Sequence, residues 1–246
     1  MRLTRNPRER LVDALLSLVL LNFCAPHPEG VVGDRLKVAK LLFLATHELL
    51  AKQAKALSFS FYRYYHGPFT TELYETWGEL SWIGFLDVPP GATGKIVLTD
   101  SGVEAAKRYE RRLADLGNGW ALQSFRHIAD TYCQLHTSEL LRRVYTMEVR
   151  PLGWNQHISI SDAPMGTYFT CALDSDEARQ AVAIDDALAS EFFNDLTREY
   201  RPRHASDAEY REIYTSTIRG VRAERAGLPA TEVSWSELER KLKGGE

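Results

Sequence analysis

From Leu11 to Ala25 the chain is apolar at nearly every position. A run apolar on all sides predicts a helix buried almost all round. Arg2, Arg5, Arg8 and Arg10 then sit at its solvent end, and Pro26 and Pro28 stop it. A second helix is predicted over Gly33–Leu50. Asp34 is placed to cap it, Leu36, Ala39, Phe43 and Leu50 share a stripe, and Lys37 to Ala45 is dense enough to be buried on most sides. Leu57 to Tyr65 alternates Phe59, Phe61, Arg63 and Tyr65 with Ser58, Ser60, Tyr62 and Tyr64, which predicts an extended segment. His66-Gly67-Pro68-Phe69 turns it, because Gly67 tolerates positive φ and Pro68 fixes its own.

Thr70 or Thr71 opens the next helix, through Trp82, with Glu72 and Glu75 favourable to its dipole and Leu73, Trp77 and Leu80 inward. Phe85 to Val88, the turn cluster Pro89–Gly94 and a short strand Lys95–Thr99 follow. Ser101 and Glu104 have capping-box spacing for a helix to about Leu116, its inward stripe Val103, Ala106, Tyr109 and Leu113. Residues 120–145 carry one long helical stripe that includes His136. Residues 151–173 are punctuated by Pro151, Gly153, Pro164 and Gly166, with short strands at His157–Ile160 and Tyr168–Ala172. Three helices close the chain. Asp174 with Glu177 caps one running to about Tyr200, Ser206 with Glu209 caps a second, and Ser234 to Leu242 is a short third with the stripe Trp235, Leu238, Leu242.

This order predicts a mainly α (α+β) protein. Residues 1–116 form a winged-helix-like N-terminal domain with a small β-hairpin, 117–150 a connecting helix, and 151–246 a helical C-terminal region. Composition adds exclusions. With 44% hydrophobic residues and a net charge of −3, the chain is neither disordered nor a basic coat for nucleic acid. Cys24, Cys133 and Cys171 are odd in number and far apart, so they are expected to be reduced, buried small hydrophobes in a cytoplasmic protein. Glu9 and Asp13 break the likeness of the N-terminus to a secretory signal, and the apolar run is too short to span a bilayer, so no membrane partner is expected.

The seven histidines form no HExxH or HxH, and neither a P-loop nor GxGxxG occurs, so no metal, no cofactor and no enzymatic activity are expected. The helix over Thr70–Trp82 holds Glu72, Glu75 and Glu79 but no Lys or Arg, which opposes DNA reading. Basic groups that could meet phosphate lie elsewhere: Arg5 and Arg8 near the start, and Lys107, Arg108, Arg111 and Arg112 after the wing. The aromatic stretch offers Tyr62, Tyr64, His66 and Phe69 to a protein partner, and Trp235, Leu238 and Leu242 offer a second apolar stripe.

Lys40-Leu-Leu-Phe-Leu-Ala45, Phe61 to Phe69, Glu72-Leu-Tyr and Leu80-x-x-x-Gly84-x-Leu86 together resemble the Panacea-domain family over roughly residues 11–115, and Leu98-Thr-Asp-Ser-Gly102 resembles the wing of many winged-helix regulators. The resemblance implies a winged-helix-like core in an antitoxin or phage-defence protein that neutralises a partner protein. The expected function is a non-enzymatic interaction module, antitoxin-like, with a toxin, a defence subunit or a second copy of the chain as partner. The alternative is a DNA-binding winged-helix regulator.

Overall fold

The computed structural model describes residues 2–25, 30–88 and 94–197. Helix α1 runs Pro7–Cys24. Asn6 Oδ1 accepts from Glu9 N, and the Glu9 carboxylate accepts from Asn6 N in return, so both ends of a capping box are made. Ala14 to Leu21 are buried without interruption, as an all-round apolar helix requires. Strand β1 (Val31–Asp34) leads into α2 (Arg35–Ala51), where Asp34 Oδ1 caps by accepting from Lys37 N at 2.7 Å.

Next come β2 (Ala54–Lys55), β3 (Tyr62–Tyr64), β4 (Gly67–Phe69), α3 (Glu72–Trp82), β5 (Leu86–Asp87), β6 (Lys95–Leu98) and α4 (Asp100–Asp115). The chain continues through α5 (Gly119–Tyr132), α6 (Thr137–Tyr145), β7 (Glu148–Val149), β8 (Ile158–Ser159), β9 (Gln180–Ala181) and α7 (Asp186–Thr197). The result is mainly helical, with small sheets. Strands β1, β6 and β5 form an antiparallel sheet in that order, β3 pairs with β4, β7 with β8, and β2 lies parallel to β9. Helix α1 runs through the middle and packs on α3, α4, α5 and α7. Phe43, Phe59, Phe61, Phe125 and Phe169 fill the core around it.

The structure corrects several expectations. The stripe over 120–145 is two helices, broken after α5. His136 is not on an inward face but is the N-cap of α6, its Nδ1 facing Ser138 N at 3.4 Å. The helix expected from Asp174 begins twelve residues later, at Asp186, where Asp185 Oδ1 accepts from Leu188 N at 2.7 Å. Asp174 and Glu177 instead close a turn before β9. Thr99 rather than Ser101 caps α4, accepting from Gly102 N at 3.0 Å. The strand expected over 57–65 is confined to β3. Ser58 to Phe61 are extended but buried on both sides, and their N–H groups pair largely with side chains. The helices expected after Tyr200 lie outside the described residues.

Cys24 and Cys133 are not free thiols. They are joined by a disulfide with Cα atoms 5.3 Å apart. Their 109-residue separation hides this in sequence, but α1 and α5 pack together and bring the last residue of one beside the cap of the other. Cys171 is free and buried. Non-reducing peptide mapping is therefore expected to recover a Cys24–Cys133 crosslinked peptide, with Cys171 alkylated only after unfolding. Alkylation of Cys24 in the folded, unreduced protein would contradict the pairing.

Candidate aromatic hairpin interface

Strands β3 and β4 are joined by the two residues Tyr65 and His66, and Tyr64 pairs with Gly67. Gly67 has φ +84°, a value open to glycine and costly for other residues. Residues two apart on a strand share a face, and Tyr62 lies opposite Phe69, so Tyr62, Tyr64 and Phe69 project together. Their rings touch edge-on or tilted, with centroids 5.6–6.4 Å apart. A third strand-like segment flanks β3. Arg63 N donates to Thr167 O at 2.8 Å, Gly166 N donates to Arg63 O at 2.9 Å, and Tyr62 bridges Tyr168. That alignment puts the Tyr168 ring 5.6 Å from Tyr62. Tyr74 of α3 extends the ribbon beyond Phe69. Tyr64 is 37% exposed, Tyr65 71% and nearby Met165 52%, so the patch is open to solvent.

The other side of the hairpin is anchored. Lys40 in α2 is buried, and its Nζ donates to Pro68 O at 2.6 Å. Burial, reinforced by the Arg63 charge, pushes this amine down to about 7. Tyr145, the last residue of α6, donates its hydroxyl to Tyr65 O at 2.8 Å, and the Arg63 guanidinium lies over the Tyr145 ring. The hairpin is thus held from α2 and from α6.

Beside the ribbon lies a buried ionic cluster. Arg5 Nη1 donates to Asp13 Oδ2 at 2.8 Å, Arg5 Nε donates to Glu72 Oε1 at 2.9 Å, and Glu75 lies 3.5 Å away. The Arg5 guanidinium also sits over the Phe59 ring. Asp13 Oδ1 accepts from Ser58 N, and Glu72 Oε2 accepts from Ser60 N. These carboxylates supply the acceptors that the extended core segment 58–61 would otherwise lack. Complete burial raises the Asp13 carboxyl to about 7, although Arg5 and the Ser58 N–H pull it down.

Of the residues singled out in the sequence, Tyr62, Tyr64 and Phe69 come together, and His66 is exposed at the hairpin tip. Trp235, Leu238 and Leu242 lie outside the described residues. The basic set does not form one surface. Arg5, expected to be available to phosphate, is buried among three carboxylates. Arg8 donates to Ile184 O at 2.6 Å. Arg108 pairs with Glu191 and Asp195 of α7. Lys107 and Arg111 are exposed on α4, and Arg112 is half-buried.

Comparison with family models, with curated proteins and with solved structures finds no match. Among the described residues, no cluster of His, Cys, Asp or Glu is arranged to hold a metal, and no helix is long and apolar enough to cross a membrane. Sequence reasoning missed Lys40, Tyr65, Tyr168 and Asp13. One signal was available for Lys40: a lone cation inside the apolar run Val38–Ala45 must find an acceptor if the run is buried.

Proposed function

We propose that this chain is a non-enzymatic, antitoxin-like interaction module that docks a protein partner, a toxin or a defence-system subunit, on the aromatic face of its β3–β4 hairpin. The observation that carries the reading is the ribbon Tyr168–Tyr62–Tyr64–Phe69, contiguous, partly exposed and mounted on a hairpin fixed from behind. Tyrosine brings large contact area with few torsions to freeze, and such rings dominate the energetics of protein interfaces. The resemblance of residues 11–115 to Panacea-domain proteins supports the antitoxin class. It acquires a physical thread here, since Lys40 from its first motif bonds Pro68 from its second.

Co-expression of the full chain with the product of an adjacent gene is expected to give a stoichiometric complex. The double variant Tyr64→Ala/Tyr65→Ala should weaken it more than about tenfold. Phe193→Ala, which removes an exposed ring from α7, should leave it intact. A chain that purifies alone, or a complex indifferent to Tyr64 and Tyr65, would overturn the reading.

A second reading has its own support. The helices α1, α2, α3 and α4 with sheet order β1–β6–β5 support a winged-helix reading in which β2, β3 and β4 are inserted between α2 and α3 and α3 takes the recognition position. Glu72 and Glu75 at the start of that helix speak against a DNA-facing role. A gel shift on the chain's own promoter at low salt, abolished by Lys107→Glu/Arg111→Glu, would favour the regulator instead.

A further inference from the structure

A cleft of about 1020 Å³ opens between the C-terminal end of α2 and the loop that joins β7 to β8. It shares no lining residue with the aromatic ribbon face, and its volume suits a small-molecule ligand. Four features give it a chemistry. Arg150 and Arg179 line it, both exposed, beside the exposed carboxylates Glu148 and Glu177 of the same lining, and neither guanidinium lies within ion-pair distance of a carboxylate among the described residues. Trp154 stands half-buried in the wall, its position set by a turn in which Trp154 N donates to Pro151 O at 3.1 Å. His47 forms part of the floor, stacked on Phe43 with ring centroids 5.6 Å apart. Burial lowers the His47 pKa, so its ring is a neutral hydrogen-bonding group at pH 7.

The rim carries a backbone cost as well. Gln53 has φ +53°, a left-handed conformation at a non-glycine position, and its carbonyl accepts from Arg179 N at 2.9 Å. Such residues persist where surrounding structure over-determines them, and they concentrate at binding sites. Here the strained residue fixes the backbone of one of the two unpaired arginines.

We propose that this cleft binds a phosphorylated heteroaromatic ligand of the nucleoside monophosphate class, with the ring against Trp154 and the phosphate toward Arg150 and Arg179. Guanidinium groups match phosphate through paired N–H donors, and an indole face stacks on any heteroaromatic ring. A lone anion would use the arginines but waste the indole, and a lone ring would leave the arginines unmatched. The assignment does not rest on the hairpin reading, and direct binding tests it with no partner protein present.

The test is calorimetric titration of the full chain with AMP, adenosine and inorganic phosphate. AMP is expected to saturate below about 1 mM, more tightly than adenosine and more tightly than phosphate. Arg150→Gln/Arg179→Gln should weaken AMP at least about tenfold while leaving adenosine unchanged. Trp154→Ala should weaken AMP and adenosine alike. These residues are exposed or half-buried, and thermal melts of the variants establish that the fold is kept. The proposal is overturned if AMP fails to saturate, if phosphate alone binds as tightly as AMP, or if neither variant changes AMP binding.

Discussion

Replacing Arg5 with methionine is expected to cost roughly 3–5 kcal/mol of folding stability, the range for breaking a buried ion pair from one side. The Arg5 side chain is only 2% exposed and that of Asp13 is fully buried, so solvent screening does little to soften the loss. Methionine keeps much of the volume over Phe59 but takes the guanidinium away from Asp13 and Glu72. A domain of this size holds about 5–15 kcal/mol in total, so the variant keeps little margin. Urea unfolding read as a shift in midpoint checks the number.

The same site predicts a pH signature. The folded pKa of Asp13 lies near 7, above its ordinary 3.8. A carboxyl raised on folding contributes stability that is fully present below its unfolded pKa and lost as pH rises through the folded one. Removing Arg5 takes away a charge that was lowering this pKa, so the loss continues to higher pH. The Arg5→Met deficit should therefore be larger at pH 8 than at pH 5. Asp13→Asn in the same background should restore part of the stability at pH 8, since an asparagine carbonyl can still accept from Ser58 N. An equal deficit at both pH values would show that the cluster matters only as volume.

This cluster also marks where the sequence stops being readable. Local rules worked where the cause is local. Asp34 caps α2, and the all-apolar stretch is the buried α1; the turn expected over His66–Phe69 falls one step earlier, at Tyr65–His66, with Gly67 and Pro68 already in β4. These rules failed where the cause comes from distant parts of the chain. Asp13 reads as an interruption of an apolar run, yet it is there to accept from Ser58 N, 45 residues away. Glu72 reads as a helix-dipole residue and serves Arg5 and Ser60 as well. The 57–65 alternation is real, but both of its sides are covered between 58 and 61, so alternation there reports nothing about facing. The break between α5 and α6 leaves no Gly or Pro behind, because a histidine does the capping. For the hairpin face, aromatic density pointed to Tyr62, Tyr64 and Phe69. Tyr168 could not be found that way, since it joins them across more than a hundred residues.

Gly102→Ala is expected to cost about 3 kcal/mol or more of folding stability. The first turn of α4 lies against the backbone that leaves α3. Thr99 Oγ1 donates to Gly84 O at 2.5 Å, Ser101 Oγ donates to the same carbonyl at 2.9 Å, and Thr99 N donates to Phe85 O at 3.2 Å. A Cβ on Gly102 would stand 2.1 Å from Phe85 O and 2.9 Å from Phe85 C. Both are backbone atoms tied into that network, so neither can swing aside as a side-chain tip could. The helix must lift instead, and it carries Ala105, Ala106, Tyr109 and Leu113 out of the core with it. This gives the Leu98-Thr-Asp-Ser-Gly102 motif a mechanical meaning: threonine caps the helix and clasps the preceding turn, and glycine lets the two backbones meet. Gly78→Ala supplies the contrast. It changes the same atoms in the middle of α3, where nothing lies within 4 Å of the added methyl, and it should stabilise by roughly 0.5–1 kcal/mol through helix propensity alone. Thermal melts of the two variants should move in opposite directions. A Gly102→Ala protein that melts with the parent would show that α4 does not depend on this close approach.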